Sequence, residues 1–91
     1  MADITISRPH TRPVAELRDA VDDIAASLER QFGVRSERRG DAVHVEGRGV
    51  RARLAVYPDT VHVTATLGLV ARPFRRALEA EIQRELDRHV G

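Results

Sequence analysis

The chain has 91 residues, of which 32% are charged and 42% hydrophobic, and its formal net charge is +1. This length predicts a single domain over residues 1–91, because two halves of such a chain would each be too small to bury a stable core. The sequence contains no cysteine, which excludes disulfides and thiolate chemistry, and no apolar run approaches the ~20 residues that span a bilayer.

A strand and an amphipathic helix are predicted first. Ile4 and Ile6 alternate with polar residues, as in a strand with one buried face, and Pro9 ends the alternation. Thr11 is the predicted N-cap of the helix, and Gly33 fits the left-handed position that commonly ends one. Between them, apolar residues recur at steps of three and four: Val14, Leu17, Val21, Ile24 and Leu28.

Four more strands are predicted in the middle of the chain. The first of them is too polar for the centre of a sheet, and its charged side chains suit an exposed edge. The other three alternate apolar and polar residues, and Gly40-Asp41 and Pro58-Asp59 are predicted turns between strands. The four strands are predicted over residues 34–39, 42–46, 50–57 and 61–67.

A second helix is predicted with Pro73 in its first turn, and it is expected to run nearly to the C-terminus. The resulting order β-α-β-β-β-β-α predicts an α+β fold, with one antiparallel sheet and both helices packed on one of its faces. The strand order 2-3-4-5-1 is preferred because it keeps every neighbouring pair antiparallel, whereas placing the first strand beside the second would need a parallel crossover.

The apolar stripe of the second helix predicts an exposed contact surface. Its residues, Phe74, Leu78, Ile82, Leu86 and Val90, lie four apart, so each step rotates the stripe by ~40° and four steps rotate it by ~160°. One sheet cannot cover so wide an arc, even with some help from sheet twist. The first three residues are therefore expected to anchor the core. Leu86 and Val90 are the candidate contacts to a partner or to a second copy of the chain, as in a homodimer.

No arrangement of catalytic or metal-binding residues is found. None of the four histidines lies four residues from another on one helix face, and the strand between His44 and His62 separates them by roughly 9–10 Å of backbone. The serines lack a nucleophile motif. The cluster of Asp19, Asp22 and Asp23 is typical of a solvated helix face. We expect no enzymatic activity, no cofactor and no bound metal.

Two groups of arginines are the candidate anion-binding or partner-binding residues. Arg51 and Arg53 are expected on the open face of the sheet, where either an anion or cross-strand ion pairs would explain them. Arg72, Arg75 and Arg76 lie in the opening turn of the second helix, where positive charge opposes the helix dipole. Helix stability therefore does not explain these three arginines. Binding to a phosphate, to an acidic partner or to the carboxylates of the first helix would explain them.

Five short segments, taken in their order and spacing, carry a resemblance to a known family: Arg8-Pro9-His10, Phe32-Gly33, Leu67-Gly68-Leu69, Glu79-Ala80-Glu81-Ile82 and Leu86-Asp87. In these segments, which extend over nearly its whole length, the chain resembles the polyhydroxyalkanoic acid system proteins. That family is linked to bacterial storage-polyester granules, alongside the synthase and the phasins. Its connector before the second helix is apolar, whereas residues 70–75 here read VARPFR.

The resemblance implies a non-enzymatic protein that associates with the granule surface or with a phasin-like granule protein. Because the N-terminus lacks a secretory signal, a cytoplasmic, granule-associated location is expected. An arginine-rich nucleic-acid-binding module is the first alternative, although the net charge is far below that of typical nucleic-acid-binding domains. A small carrier of lipid or acyl ligands is the second, but a core filled with Val, Leu and Ile leaves little room for a ligand between helices and sheet.

Overall fold

A computed structural model describes residues 2–90 and shows two helices packed on one five-stranded antiparallel sheet. The strands follow the order β1-β5-β4-β3-β2. Both the α+β fold and the preferred strand order are thus confirmed. The elements are β1 Ile4–Pro9, α1 Val14–Phe32, β2 Arg35–Arg39, β3 Ala42–Gly47, β4 Val50–Val56, β5 Thr60–Leu67, a 3-10 turn Arg72–Phe74, and α2 Arg75–His89.

The alternation of side chains along the strands separates a helix-covered face from an open face. In β4, Val50, Ala52 and Leu54 are buried beneath the helices, while Arg51 and Arg53 are exposed on the open face. The same register continues across β3 and β5, because Ala52 pairs with Val45 on one side and Ala65 on the other. Burial of one apolar row per strand thus fixes which side chains face solvent.

The first helix begins later than the sequence predicts. Its N-cap is Pro13, whose carbonyl accepts from the N–H groups of Glu16 and Leu17 at 3.1 and 3.3 Å, and no side chain caps it. Thr11 as N-cap is therefore wrong, since it lies too far upstream to reach the second or third helical N–H. The predicted end is confirmed: Gly33 adopts φ +68°, and its N–H donates to Glu29 O at 3.0 Å.

The second helix buries the residues that were expected to be exposed. Leu86 is 0% exposed and Val90 7%, so neither offers the predicted surface to a partner or a second copy. Leu78 and Ile82 are buried as expected, but Phe74 is 60% exposed and does not anchor the core. The reason is that α2 packs against α1 as well as the sheet, and together they cover a wider arc than the sheet alone.

A polar seam, formed by Ser27, Gln31, Glu81, Glu85 and His89, lies between the two helices. Ser27 Oγ donates to Glu85 Oε1 at 2.7 Å and accepts from the side-chain amide of Gln31 at 2.9 Å. His89 Nε2 lies 3.1 Å from Glu85 Oε2, although the contact is not aligned as a hydrogen bond. The seam shows that the α1-facing side of α2 is buried even where its residues are charged.

Candidate docking surface

Three large apolar side chains stand exposed together at one end of the molecule. They are Leu69, Val70 and Phe74, with exposed fractions of 82%, 79% and 60%, and we call them the apolar tip. Tyr57, 44% exposed, lies in the turn at the opposite end of β5. Single exposed apolar residues are normal on protein surfaces, but these three lie within one short segment, and Val70 and Phe74 line the same cavity, which makes the segment a candidate contact surface.

Backbone hydrogen bonds hold the segment that carries the apolar tip. Gly68 N donates to Gly49 O at 2.8 Å, which ties the segment to the β3–β4 turn. The N–H groups of Ala71 and Arg72 both donate to Gly68 O, at 3.0 and 3.1 Å, and Phe74 N donates to Ala71 O at 2.9 Å. Ala71 is the buried anchor of this segment. The tip is therefore a hydrogen-bonded turn whose largest side chains face solvent.

Arginines surround the apolar tip. Arg75 Nε donates to Asp3 O at 3.1 Å and its guanidinium lies 4.0 Å from Glu79, so this arginine connects the start of α2 to the residue before β1. Arg72 and Arg76 are exposed and pair with no acidic side chain within residues 2–90. The first turn of α2 contains no acidic residue either. Two guanidinium groups thus remain available to an external partner beside the exposed apolar side chains.

The other predicted arginines belong to a different surface. Arg51 and Arg53 lie on the open face, with Arg51 Nε 3.9 Å from Glu46, and Arg53 pairs in register with His44. Since α2 covers the opposite face of the sheet, these two arginines cannot combine with those at the start of α2. The structure therefore divides the five predicted arginines between two surfaces.

Two of the histidines, His10 and His62, and one carboxylate of helix one, Asp22, make contacts within the fold. His10 is buried, with Nε2 2.8 Å from Tyr57 O, and His62 Nδ1 lies 2.8 Å from Ser7 Oγ across the β1–β5 pair. Asp22 accepts from Arg38 Nη2 at 2.6 Å. Across residues 2–90, no group of three or more potential metal-ligating side chains comes together.

Sequence reasoning placed the arginines beside the tip but missed the tip itself. Leu69 and Val70 fall between the last predicted strand and the second predicted helix, and Phe74 is predicted to anchor the core. No periodic signal marks the tip, because Leu69 continues the two-residue period of β5 from Leu67 and Val70 lies four residues before Phe74, in step with the stripe of α2. Periodicity alone would therefore bury both residues, and the turn that starts at Gly68 is what exposes them.

The comparison with protein families decides the family. Residues 4–90 match the sequence model of the family described as "Putative polyhydroxyalkanoic acid system protein". The chain belongs to this family. The matched range runs from the first residue of β1 to the residue after α2, so it includes the apolar tip and the arginines around it.

The remaining comparisons add no relative of this polyhydroxyalkanoic acid system protein. No curated protein and no solved structure shows significant similarity to it. Neither α1 nor α2 is long and apolar enough to cross a membrane. The family match thus links the chain to the polyhydroxyalkanoic acid system. The apolar tip and the arginines next to it are the surface from which a function can be argued.

Proposed function

We propose that this polyhydroxyalkanoate-system protein is non-enzymatic and attaches to storage granules in the cytoplasm by laying its apolar tip on the polyester surface. The observation that carries the proposal is the joint exposure of Leu69, Val70 and Phe74 on a hydrogen-bonded turn. A polyester surface is largely apolar, so covering these side chains with it removes apolar area from water.

The flanking arginines suit the same surface. Arg72 and Arg76 can lay their aliphatic stems along the polymer while their guanidinium groups stay in water. Each chain of a polyhydroxyalkanoate has one carboxyl end and one hydroxyl end, and a guanidinium pairs with a carboxylate in bidentate geometry. The combination of an apolar centre and a cationic rim therefore favours an apolar surface that bears scattered negative charge.

The open face supports the nucleic-acid alternative less well. Proteins that bind single strands stack bases chiefly on large aromatic side chains, and the described part of β1–β5 contains no Phe, Tyr or Trp. Glu46 lies beside Arg51 and lowers the positive charge there. The exposed apolar residues and the arginines on the open face are also on different surfaces. Granule attachment uses the first of these surfaces and does not require the second.

The proposal can be tested by pelleting the purified protein with protein-free polyhydroxyalkanoate particles. The tip variant Leu69→Ser/Phe74→Ser is compared with Tyr57→Ser, which removes an exposed aromatic side chain from the other end of the molecule. Because full burial of a Leu or Phe side chain contributes about 1.5–3 kcal/mol, each tip substitution should weaken binding about tenfold or more. The Tyr57→Ser variant should bind as the unmodified protein does.

Three outcomes would contradict direct attachment to the polymer. The first is that the protein does not pellet with bare particles but does pellet with native, protein-coated granules, since the partner would then be a granule protein. The second is equal binding by the tip variant and Tyr57→Ser. The third is a dimer of the unmodified protein that the tip substitutions convert to a monomer, which would show that a second copy covers the tip.

A further inference from the structure

A cavity of about 350 Å³ opens beside the apolar tip, among the end of α1, the β3–β4 turn and the start of α2. Apolar side chains form its walls, among them Phe32, Val50, Phe74 and Leu78. The volume falls at the lower end of the range of small-molecule sites, about 300–1,000 Å³. The cavity therefore has the size and lining of a site for a small apolar group.

The cavity continues toward the core. A small void of about 10 Å³ lies further in, and Phe32, Val50 and Leu78 line both spaces. Val, Leu and Ile side chains fill the centre of the layer between helices and sheet and leave little room for a ligand there. The cavity lies at the end of that layer, where the core side chains stop and the exposed tip begins.

Arg48 provides the only charge in the lining of the cavity, which otherwise includes one polar side chain, that of Gln31. Arg48 Nε lies 3.2 Å from the point where a Cβ on Gly33 would stand, so the absence of a side chain at Gly33 makes room for the guanidinium. No acidic side chain of residues 2–90 lies within ion-pair distance of Arg48. A cation without a partner thus stands at the mouth of an apolar cavity.

The backbone at Arg48 is also unusual for an arginine. Arg48 and Gly49 form the two-residue connection between β3 and β4, with φ +54° and +80°. Positive φ at both positions is the pattern of a type I′ turn, whose first position strongly favours Asn, Asp or Gly. An arginine there is disfavoured by its Cβ, and residues held in such conformations cluster at ligand-binding sites. The geometry of the turn therefore does not account for an arginine at position 48.

We infer that this cavity binds an aliphatic carboxylate, with the alkyl chain between Phe32, Phe74 and Leu78 and the carboxylate paired to the Arg48 guanidinium. The walls favour hydrocarbon because they offer few hydrogen-bonding groups, and the single cation favours one negative charge at the mouth. A free medium-chain fatty acid and the carboxyl end of a polyester chain share this chemistry. The cavity shares Val70 and Phe74 with the apolar tip, but Arg48 is not part of the tip, so a substitution of Arg48 tests the cavity separately from granule attachment.

The test compares decanoate with its uncharged methyl ester, by calorimetry or by amide NMR shifts, on the unmodified protein and on Arg48→Asn. Asn suits the first position of a type I′ turn, so this variant should keep the fold and should not lower the melting temperature. The unmodified protein should bind decanoate about tenfold more tightly than the ester, which corresponds to ~1.4 kcal/mol. Arg48→Asn should remove that preference and leave the affinity for the ester unchanged.

A second arm separates the two sources of the carboxylate. A short 3-hydroxyalkanoate oligomer with a free carboxyl end competes with decanoate, and the tighter ligand identifies the source. Arg48-dependent binding of either ligand supports the inference. It is overturned if neither carboxylate binds saturably below about 1 mM, the weak end of specific affinities, or if Arg48→Asn weakens the acid and the ester equally.

Discussion

Glu85 is a buried carboxylate, and few neighbouring groups offset the free-energy cost of its burial. It is 3% exposed, it accepts from Ser27 Oγ at 2.7 Å, and Arg88 Nη1 approaches only to 3.8 Å. A buried polar group that loses its hydrogen bond bears the full penalty of having left water. Ser27 therefore matters more than a small residue in the middle of a helix ordinarily would.

We predict that Ser27→Ala lowers the free energy of unfolding by about 1–3 kcal/mol, because it leaves Glu85 without its hydroxyl donor. Urea denaturation followed by circular dichroism measures the change. The control repeats the substitution in a Glu85→Leu background, where no carboxylate needs a donor and the same change should cost little. If Ser27→Ala costs equally much in both backgrounds, the hydrogen bond to Glu85 does not stabilise the helix pair.

Helix α2 is the element whose environment sequence analysis described least well. Its four-residue spacing correctly predicted that Leu78 and Ile82 are buried. It failed for Leu86 because the rotation of the stripe was compared with the sheet alone, and the position of α1 is not visible in the spacing. It failed for Phe74 because a 3-10 turn precedes Arg75, so Phe74 is not part of the α-helix.

The position of Leu86 can be tested by placing the same charge at a buried and an exposed leucine. Leu86→Asp should lower the free energy of unfolding by about 4 kcal/mol or more, because it puts an unpaired carboxylate in the core. Leu69→Asp, at a side chain that is 82% exposed, should change it by no more than about 0.5 kcal/mol. Thermal denaturation of both variants checks this. A Leu86→Asp protein with an unchanged melting temperature would contradict the burial of α2.

At the scale of the whole molecule, the strand order could be predicted from the sequence, whereas the apolar tip and the cavity beside it could not. Alternation, turn residues and the preference for antiparallel neighbours were enough to give the strand order. The apolar tip and the cavity beside it arise where the end of α1, the β3–β4 turn and the segment after β5 meet. That meeting depends on long-range packing between parts of the chain that no local pattern connects.

This arrangement gives the two ends of the molecule different properties. The end with the tip carries the exposed Leu69, Val70 and Phe74 together with Arg72 and Arg76. At the other end of β5, Tyr57 is the exposed aromatic residue. Attachment through one end would leave the open face of the sheet accessible to water.

The most direct measurement is the distribution of the protein between granule and supernatant fractions of cells grown with and without polyester. The proposal predicts that the unmodified protein moves to the granule fraction only when granules are present. The Leu69→Ser/Phe74→Ser variant should stay in the supernatant, and Tyr57→Ser should follow the unmodified protein. Recovery of the unmodified protein in the supernatant of granule-containing cells would contradict the central claim that its apolar tip binds the granule.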